Sequence, residues 1–247
     1  ACSRGMIHVL HEVLPVTRAL NDQDHKGMTP LAHAVHGCHK ECVRMLLEAG
    51  ADSHICDNTG TFPLHICSQD DRRLLILQML CESFADLDVV DADQQTALHL
   101  ACISGIEPVV RMLLSNGAHP EPRDDRGCQP IHLAARHNMI KCARLLFEYN
   151  VDINIRNWDG TTALGEARMN NHKEMLALFD ERYVLSTEVA FQRKVTMASN
   201  LGVDLPVKLE EEKNEGELEP GADETPFWEA IIARSLKFRD FGNEWEE

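Results

Sequence analysis

A chain of 247 residues, 44% hydrophobic and 26% charged, is long enough for one or two globular domains. It holds no apolar run long enough to span a bilayer and no charged-then-apolar leader, so neither direct membrane insertion nor a secretory signal is expected from it. A formal net charge of −16 disfavours nucleic acid as a partner and favours a basic peptide or protein surface.

The chain opens with Ala1-Cys2-Ser3-Arg4-Gly5, in the register of a helix end. Ile7, Val9, Leu10, Val13 and Leu14 then form a second short helix that Pro15 stops. From residue 24 a pattern recurs. An aspartate or asparagine opens each unit at Asp24, Asp57, Asp91, Asp124 and Asn157, at intervals of 33, 34, 33 and 33. Three residues on comes glycine at 27, 60, 127 and 160, with Gln94 the exception. The next stretch starts a helix in every unit: Thr29-Pro30-Leu31, Phe62-Pro63-Leu64-His65, Thr96-Ala97-Leu98-His99, Gln129-Pro130-Ile131-His132 and Thr162-Ala163-Leu164-Gly165. A second apolar run follows, as in Ile140, Ala143, Leu146 and Phe147. The units close with Gly50-Ala51-Asp52, Phe84-Ala85-Asp86, Gly117-Ala118-His119 and Asn150-Val151-Asp152. One such unit is too small to bury its own apolar face, so neighbouring copies must cover it.

The period, the threonine-proline-leucine-histidine opening and the glycine-alanine-aspartate loop resemble ankyrin repeats. The resemblance implies an all-α repeat fold, a solenoid of helix-turn-helix units with short β-turn fingers and a C-terminal helical extension. On this register residues 1–179 form the array, with a partial first repeat and then repeats starting near 24, 57, 91, 124 and 157. The mid-unit start leads us to expect a fragment of a longer protein with further repeats before it. The resemblance also implies that His65, His99 and His132 tie backbone to backbone between units.

Several positions depart from the pattern. His33, His36, Cys38, His39 and Cys42 carry zinc-ligand chemistry, but they span a turn between two helices and include a core position. The structural reading is therefore the stronger, and no metal or other cofactor is expected. The second unit holds one extra residue and the run Asp70-Asp71-Arg72-Arg73, read as a solvated turn that can also shift the stack's curvature. In the third, Pro108 suits the entry to a helix, and His119-Pro120-Glu121-Pro122 makes a stiffer loop. The fifth has Gly165 for histidine and Arg168 at an alanine-like position, as suits a cap meeting water. The nine cysteines fall largely on core positions, which argues against a disulfide framework and for a reducing, cytoplasmic setting, with the nucleus the other option.

Beyond the array, residues 180–207 read as a capping helical segment and 208–225 as an acidic flexible linker. Residues 226–247 read as an amphipathic aromatic helix on which Phe227, Trp228, Ile231, Ile232, Leu236 and Trp245 offer a contact surface. That helix docks in cis, in trans, or belongs to a following domain; its amphipathicity does not choose.

Catalysis has no foothold, because a catalytic site needs unlike groups converging on one point and these histidines are one group copied along a stack. The chain is expected to be non-enzymatic. Carried over by register, the partner-binding positions on fingers and first-helix ends are His25, Lys26, Met28, His36, Asn58, Thr59, Asp93, Gln95, Ile103, Asp125, Arg126, Arg136, His137, Trp158 and Met169. Cys128 falls on the same register. Trp158 is read either as an interface anchor or as an aromatic packed sideways on the neighbouring finger or on the segment after residue 180. Lys26, Arg126, Arg136 and the histidines make this face less acidic than the chain as a whole. The function expected is an interaction scaffold or adaptor, with the C-terminal helix as a second or autoinhibitory contact. The alternative is the cytosolic regulatory arm of a larger machine, such as a ubiquitin-ligase adaptor or an ion channel. A metal-dependent enzyme built on residues 33–42 is a third hypothesis.

Overall fold

The computed structural model describes residues 2–14, 19–83, 86–180 and 182. All of these lie in the compact unit Ala1–Gln192; a second unit spans Arg193–Glu247. The expected acidic linker and the aromatic positions Phe227, Trp228, Ile231, Ile232, Leu236 and Trp245 lie outside the described residues, as does nearly all of the expected capping segment.

A 3-10 turn, Cys2–Arg4, and helix α1, Ile7–Val13, make the partial unit. Each full unit then contributes a pair. The first helices are α2 (Pro30–His36), α4 (Pro63–Ser68), α6 (Ala97–Ser104), α8 (Pro130–Arg136) and α10 (Ala163–Met169). The second are α3 (Lys40–Glu48), α5 (Leu74–Glu82), α7 (Glu107–Ser115), α9 (Ile140–Glu148) and a helical stretch at 173–180. Among the described residues there is no strand, only isolated bridges between Val90 and Thr96 and between Arg156 and Thr162. No described helix is long and apolar enough to cross a membrane.

First helices pack on first helices and second on second. Close approach is possible because each first helix turns a small, fully buried side chain toward its neighbours at one repeat position: Ala34, Cys67, Ala101, Ala134 and Ala167. Larger residues then fill one continuous core, including Leu31, Leu46, Ile76, Leu98, Leu113, Ile131, Leu146 and Phe179. Each such side chain contributes roughly 1.5–3 kcal/mol by leaving water. All nine cysteines are free thiols, and Cys42, Cys67, Cys102, Cys128 and Cys142 are buried. At the position where Val35, Cys102 and Ala135 are buried, Arg168 of the last described repeat is exposed.

The histidines explain the register. In His65, His99 and His132, Nδ1 accepts the backbone N–H of Phe62, Thr96 and Gln129 at 3.2, 3.1 and 3.1 Å. Nε2 donates to the carbonyls of Val89 and Ile155, in the loop just before the next unit opens, at 3.1 and 3.0 Å, and in His99 to the Cys128 carbonyl across the boundary at 3.1 Å. Both ring nitrogens are thus occupied in the neutral form. The two units without this histidine are capped by threonine instead, Thr29 accepting from Ala32 N–H and Thr162 from Gly165 N–H, each at 3.2 Å.

The run at 70–73, expected as a solvated turn, is solvated only in part. Asp71 and Arg72 are exposed, whereas the side chains of Asp70 and Arg73 are each 14% exposed. Asp70 caps a 3-10 turn, Asp71–Arg73, and its bond from Arg72 holds its carboxyl down to about 2. Arg73 donates to the carbonyls of Ile66 and, across the boundary, His36, at 3.1 and 3.2 Å. Arg73 thus makes a tie between units.

A second ladder runs along the loops at the position of Asn21, His54, Asp88 and Glu121. Their side chains accept the backbone N–H of Asp52, Asp86, His119 and Asp152 in the next unit at 2.9, 2.9, 2.9 and 2.7 Å.

Burial lowers the pKa of His65, His99 and His132 below the ordinary 6.5. As pH falls below that value the unfolded chain takes up these protons first. The stability they contribute is therefore complete above about 6.5 and declines in acid. Denaturation in urea at pH 7.5 and pH 5 should show a lower midpoint at pH 5; an unchanged or higher midpoint contradicts the assignment. His99→Ala strands Thr96 N–H and leaves the Cys128 carbonyl with only its bond from Asp124 N–H, so it should cost about 1–3 kcal/mol in the same assay at pH 7.5.

Candidate interaction face

The fingers are built by the residue that opens each unit. Oδ1 of Asp24 accepts the N–H of Lys26 and Met28, Asp57 those of Thr59 and Thr61, Asp91 those of Asp93 and Gln95, and Asp124 those of Arg126 and Cys128, all between 2.7 and 3.0 Å. Asn157 does the same for Thr161 at 2.8 Å. A carboxylate or amide one bond from the backbone is the side chain that reaches both N–H groups of so tight a turn. The turn needs a left-handed residue three places on, which is why Gly27 and Gly127 stand there with φ of 77° and 70° and why Gln94, at 57°, bears the cost of a side chain.

Neighbouring fingers are then bonded to each other. Asn58 N–H donates to the Lys26 carbonyl at 3.0 Å, Asp125 N–H to Asp93 at 3.2 Å and Trp158 N–H to Arg126 at 3.0 Å. Asn58 Nδ2 also donates to the His25 carbonyl at 3.1 Å. Thr59 Oγ1 donates to Asp57 at 2.6 Å. Of the expected contact positions, His25, Lys26, His36, Asn58, Thr59, Asp93, Asp125, Arg126, His137, Trp158 and Met169 are exposed, and Met28, Gln95, Ile103 and Arg136 are half-buried. Asn58 and Thr59 are thus partly engaged in holding the finger itself. Cys128, taken from register as a finger position, is buried, a correction that follows from its place inside the cluster described next.

Where the fourth unit meets the fifth, Arg136 makes a two-pronged ion pair with Glu166, Nε to Oε2 at 3.0 Å and Nη2 to Oε1 at 2.7 Å. Glu166 occupies the place of Leu133 one unit earlier and its side chain is 5% exposed. Asn157 Nδ2 donates to Glu166 Oε1 at 3.1 Å, and both Arg136 and Asn157 approach Cys128 Sγ at 3.6 Å. The bond from Arg136 holds the Glu166 carboxyl below its usual range, and burial raises the Cys128 thiol. His172 Nε2 donates to the Arg136 carbonyl at 2.9 Å. Arg136, expected as a partner contact, is therefore already engaged within the fold.

The hydroxyl-free, exposed side chains at this end are different. Trp158 is 68% exposed and Met169 64% exposed. The Trp158 ring lies against Gly127, where an added Cβ would come within 2.6 Å of it, and the guanidinium of Arg123 sits 5.1 Å from the ring centroid. One side of Trp158 thus packs on the neighbouring finger, while most of the residue faces solvent.

The 33–42 cluster is distributed among other tasks. His33 Nε2 pairs with Asp24 Oδ2 at 2.9 Å, the His39 ring fills the space beside Gly5 and Gly37, and Cys42 is in the core. Among the described residues no group of three or more His, Cys, Asp or Glu is placed to hold a metal ion.

Sequence reasoning took Asn157 only as the residue that opens its unit, and it missed Glu166 and Arg123. A glutamate where the preceding unit has an apolar residue was the available signal for the first. The recurrence of arginine at 123 and 156, one period apart, was the signal for the last.

The Arg136–Glu166 pair generates a prediction. Glu166→Ala leaves a half-buried guanidinium without its partner and should lower stability by about 2–4 kcal/mol in urea denaturation. Replacing both by methionine should recover most of that loss; equal losses in the single and double variants contradict the account.

The family model for ankyrin repeats in three copies matches this chain four times, over residues 1–91, 53–124, 71–157 and 119–187. An ankyrin repeat protein of Acanthamoeba polyphaga mimivirus is 26% identical over 167 residues, 67% of this chain and 22% of its own length. The transient receptor potential cation channel subfamily A member 1 of Homo sapiens is 27% identical over 188 residues, 72% of this chain and 17% of the relative. The B-cell lymphoma 3 protein homolog of Mus musculus is 33% identical over 133 residues, 51% of this chain and 30% of the relative. The chain thus spans less than a third of each of these proteins.

Proposed function

The chain belongs to the ankyrin-repeat family, whose repeats mediate protein–protein interaction, and we propose that it is a non-enzymatic scaffold that binds a protein partner with its fingers and first-helix ends. The observation that carries this reading is a division of labour. The groups that hold the stack are buried or bonded, whereas Trp158 and Met169, large apolar side chains with no such task, are 68% and 64% exposed on the fingers and first-helix ends. Such side chains on a backbone already fixed by hydrogen bonds suit an interface anchor. His25, Lys26, His36, Asp93, Ile103, Asp125, Arg126 and His137 extend the same surface along the array. The aromatic segment 226–247 serves in this reading as a second contact for the partner. Nine free thiols, five of them buried, suit a reducing compartment.

The cation-channel relative supports a second reading, in which the array is the cytosolic regulatory arm of a larger protein. An autonomous scaffold captures its partner as the isolated chain; an arm acts only on the parent to which it is joined.

Affinity capture from lysate with the chain, with Trp158→Ala and with Met169→Glu tests the reading. The partner should be retained by the chain and lost roughly tenfold by each variant, as for an interface anchor, with unchanged thermal midpoints. Full retention by both variants contradicts binding through this face.

A further inference from the structure

We propose that the finger edge of the fourth and fifth units is a docking site for an acidic linear peptide segment bearing an aromatic or branched aliphatic side chain, centred on Trp158 and the arginines around it. This deepens the scaffold reading and rests on it.

Trp158 is exposed but not loose. Its backbone N–H is bonded to the Arg126 carbonyl at 3.0 Å and its ring is backed by Gly127. Arg123 stands 5.1 Å from the ring centroid, and its Nη1 donates to the Arg156 carbonyl at 3.2 Å. Holding the indole in place beforehand removes much of the ordering cost that a mobile surface tryptophan would impose on binding. The indole then offers a fixed apolar surface for one side chain of a ligand.

The arginines set the charge of that ligand. Arg123, Arg126 and Arg156 are all exposed. Arg126 holds no side-chain partner among the described residues, and Arg156 Nη1 makes one bond, to the Gly160 carbonyl at 2.6 Å. The acids on the same fingers are Asp125 and Asp159, both exposed. Nearby, Asp124 and Glu121 already accept backbone N–H groups. Guanidinium groups pair with carboxylates through two parallel hydrogen bonds, a geometry that a lysine-rich ligand cannot supply. The local chemistry thus runs against the whole-chain charge of −16, which taken alone favours a basic partner. Tryptophan with arginines would also suit stacked bases. A long polyanion, however, meets the field of the whole acidic chain, whereas a short segment contacts only this edge.

The test is fluorescence anisotropy with the full chain at low salt and three labelled probes: glutamates flanking a central phenylalanine–leucine pair, the same peptide with lysines for glutamates, and oligothymidine. The glutamate peptide should bind roughly tenfold more tightly than either other probe and weaken as salt is raised. Trp158→Ala and Arg126→Glu should each weaken it roughly tenfold, while Trp158→Phe, which keeps a ring over Gly127, retains most of the binding. Equal or tighter binding of the lysine peptide or of oligothymidine, no binding of the glutamate peptide, or indifference to Trp158→Ala and Arg126→Glu overturns the proposal. A lysate partner that survives both substitutions but depends on Met169 or His36 overturns this site and leaves the scaffold reading standing. Capture of no partner by the chain removes the scaffold reading itself.

Discussion

A neutral imidazole, bonded at one nitrogen to the start of its own helix and at the other to the loop that leads into or opens the next unit, is the interaction that sets register in three of the five full units. It appears at His65, His99 and His132. A unit of 33 residues cannot bury its apolar face alone, so its stability is shared with its neighbours and the boundaries between units matter most. Apolar packing at those boundaries supplies magnitude but little direction. The imidazole, whose two nitrogens have fixed separation and opposite roles, supplies register.

Other boundary ties use whatever chemistry the local sequence allows. Arg73 reaches back to the His36 carbonyl, His172 to the Arg136 carbonyl, and the loop acceptors from Asn21 to Glu121 each take one N–H from the following unit. The fourth and fifth units add a charged version in Arg136 and Glu166. Because the ties lie at helix ends and turns, the finger backbone is held on several sides. Its outward side chains are left without a structural task, and Trp158 and Arg126 show the result. A repeat scaffold can change such residues without altering its stack, which is how one fold serves unrelated ligands.

Much of the fold was legible because its signals are local and repeated. Asp24, Asp57, Asp91, Asp124 and Asn157 mark the turns, and the small residues from Ala34 to Ala167 mark the close packing of first helices. The candidate interaction face was legible only as register. Register placed Cys128 on a finger without revealing that Arg136 and Asn157 enclose its thiol, and it placed Arg136 on the open face without its buried partner. Asn157 with Cys128 and Arg136 with Glu166 are pairings between residues nearly one period apart, fixed by which side chain is long enough to cross the boundary. No single unit's pattern contains that information. The tie made by Arg73 was missed for the same reason, since it acts on a carbonyl in the unit before its own.

The most direct test of the central claim, that the fingers and first-helix ends are the working surface, is hydroxyl-radical footprinting of the chain with and without its captured partner. Trp158 and Met169 are both readily oxidised and widely exposed, whereas Leu75 and Tyr149, 50% and 42% exposed, lie on or beside the second helices. Partner binding should lower oxidation of Trp158 and Met169 several-fold and leave Leu75 and Tyr149 unchanged. Protection of Leu75 and Tyr149 with Trp158 and Met169 unaffected would place the partner on the opposite side of the stack and contradict the account.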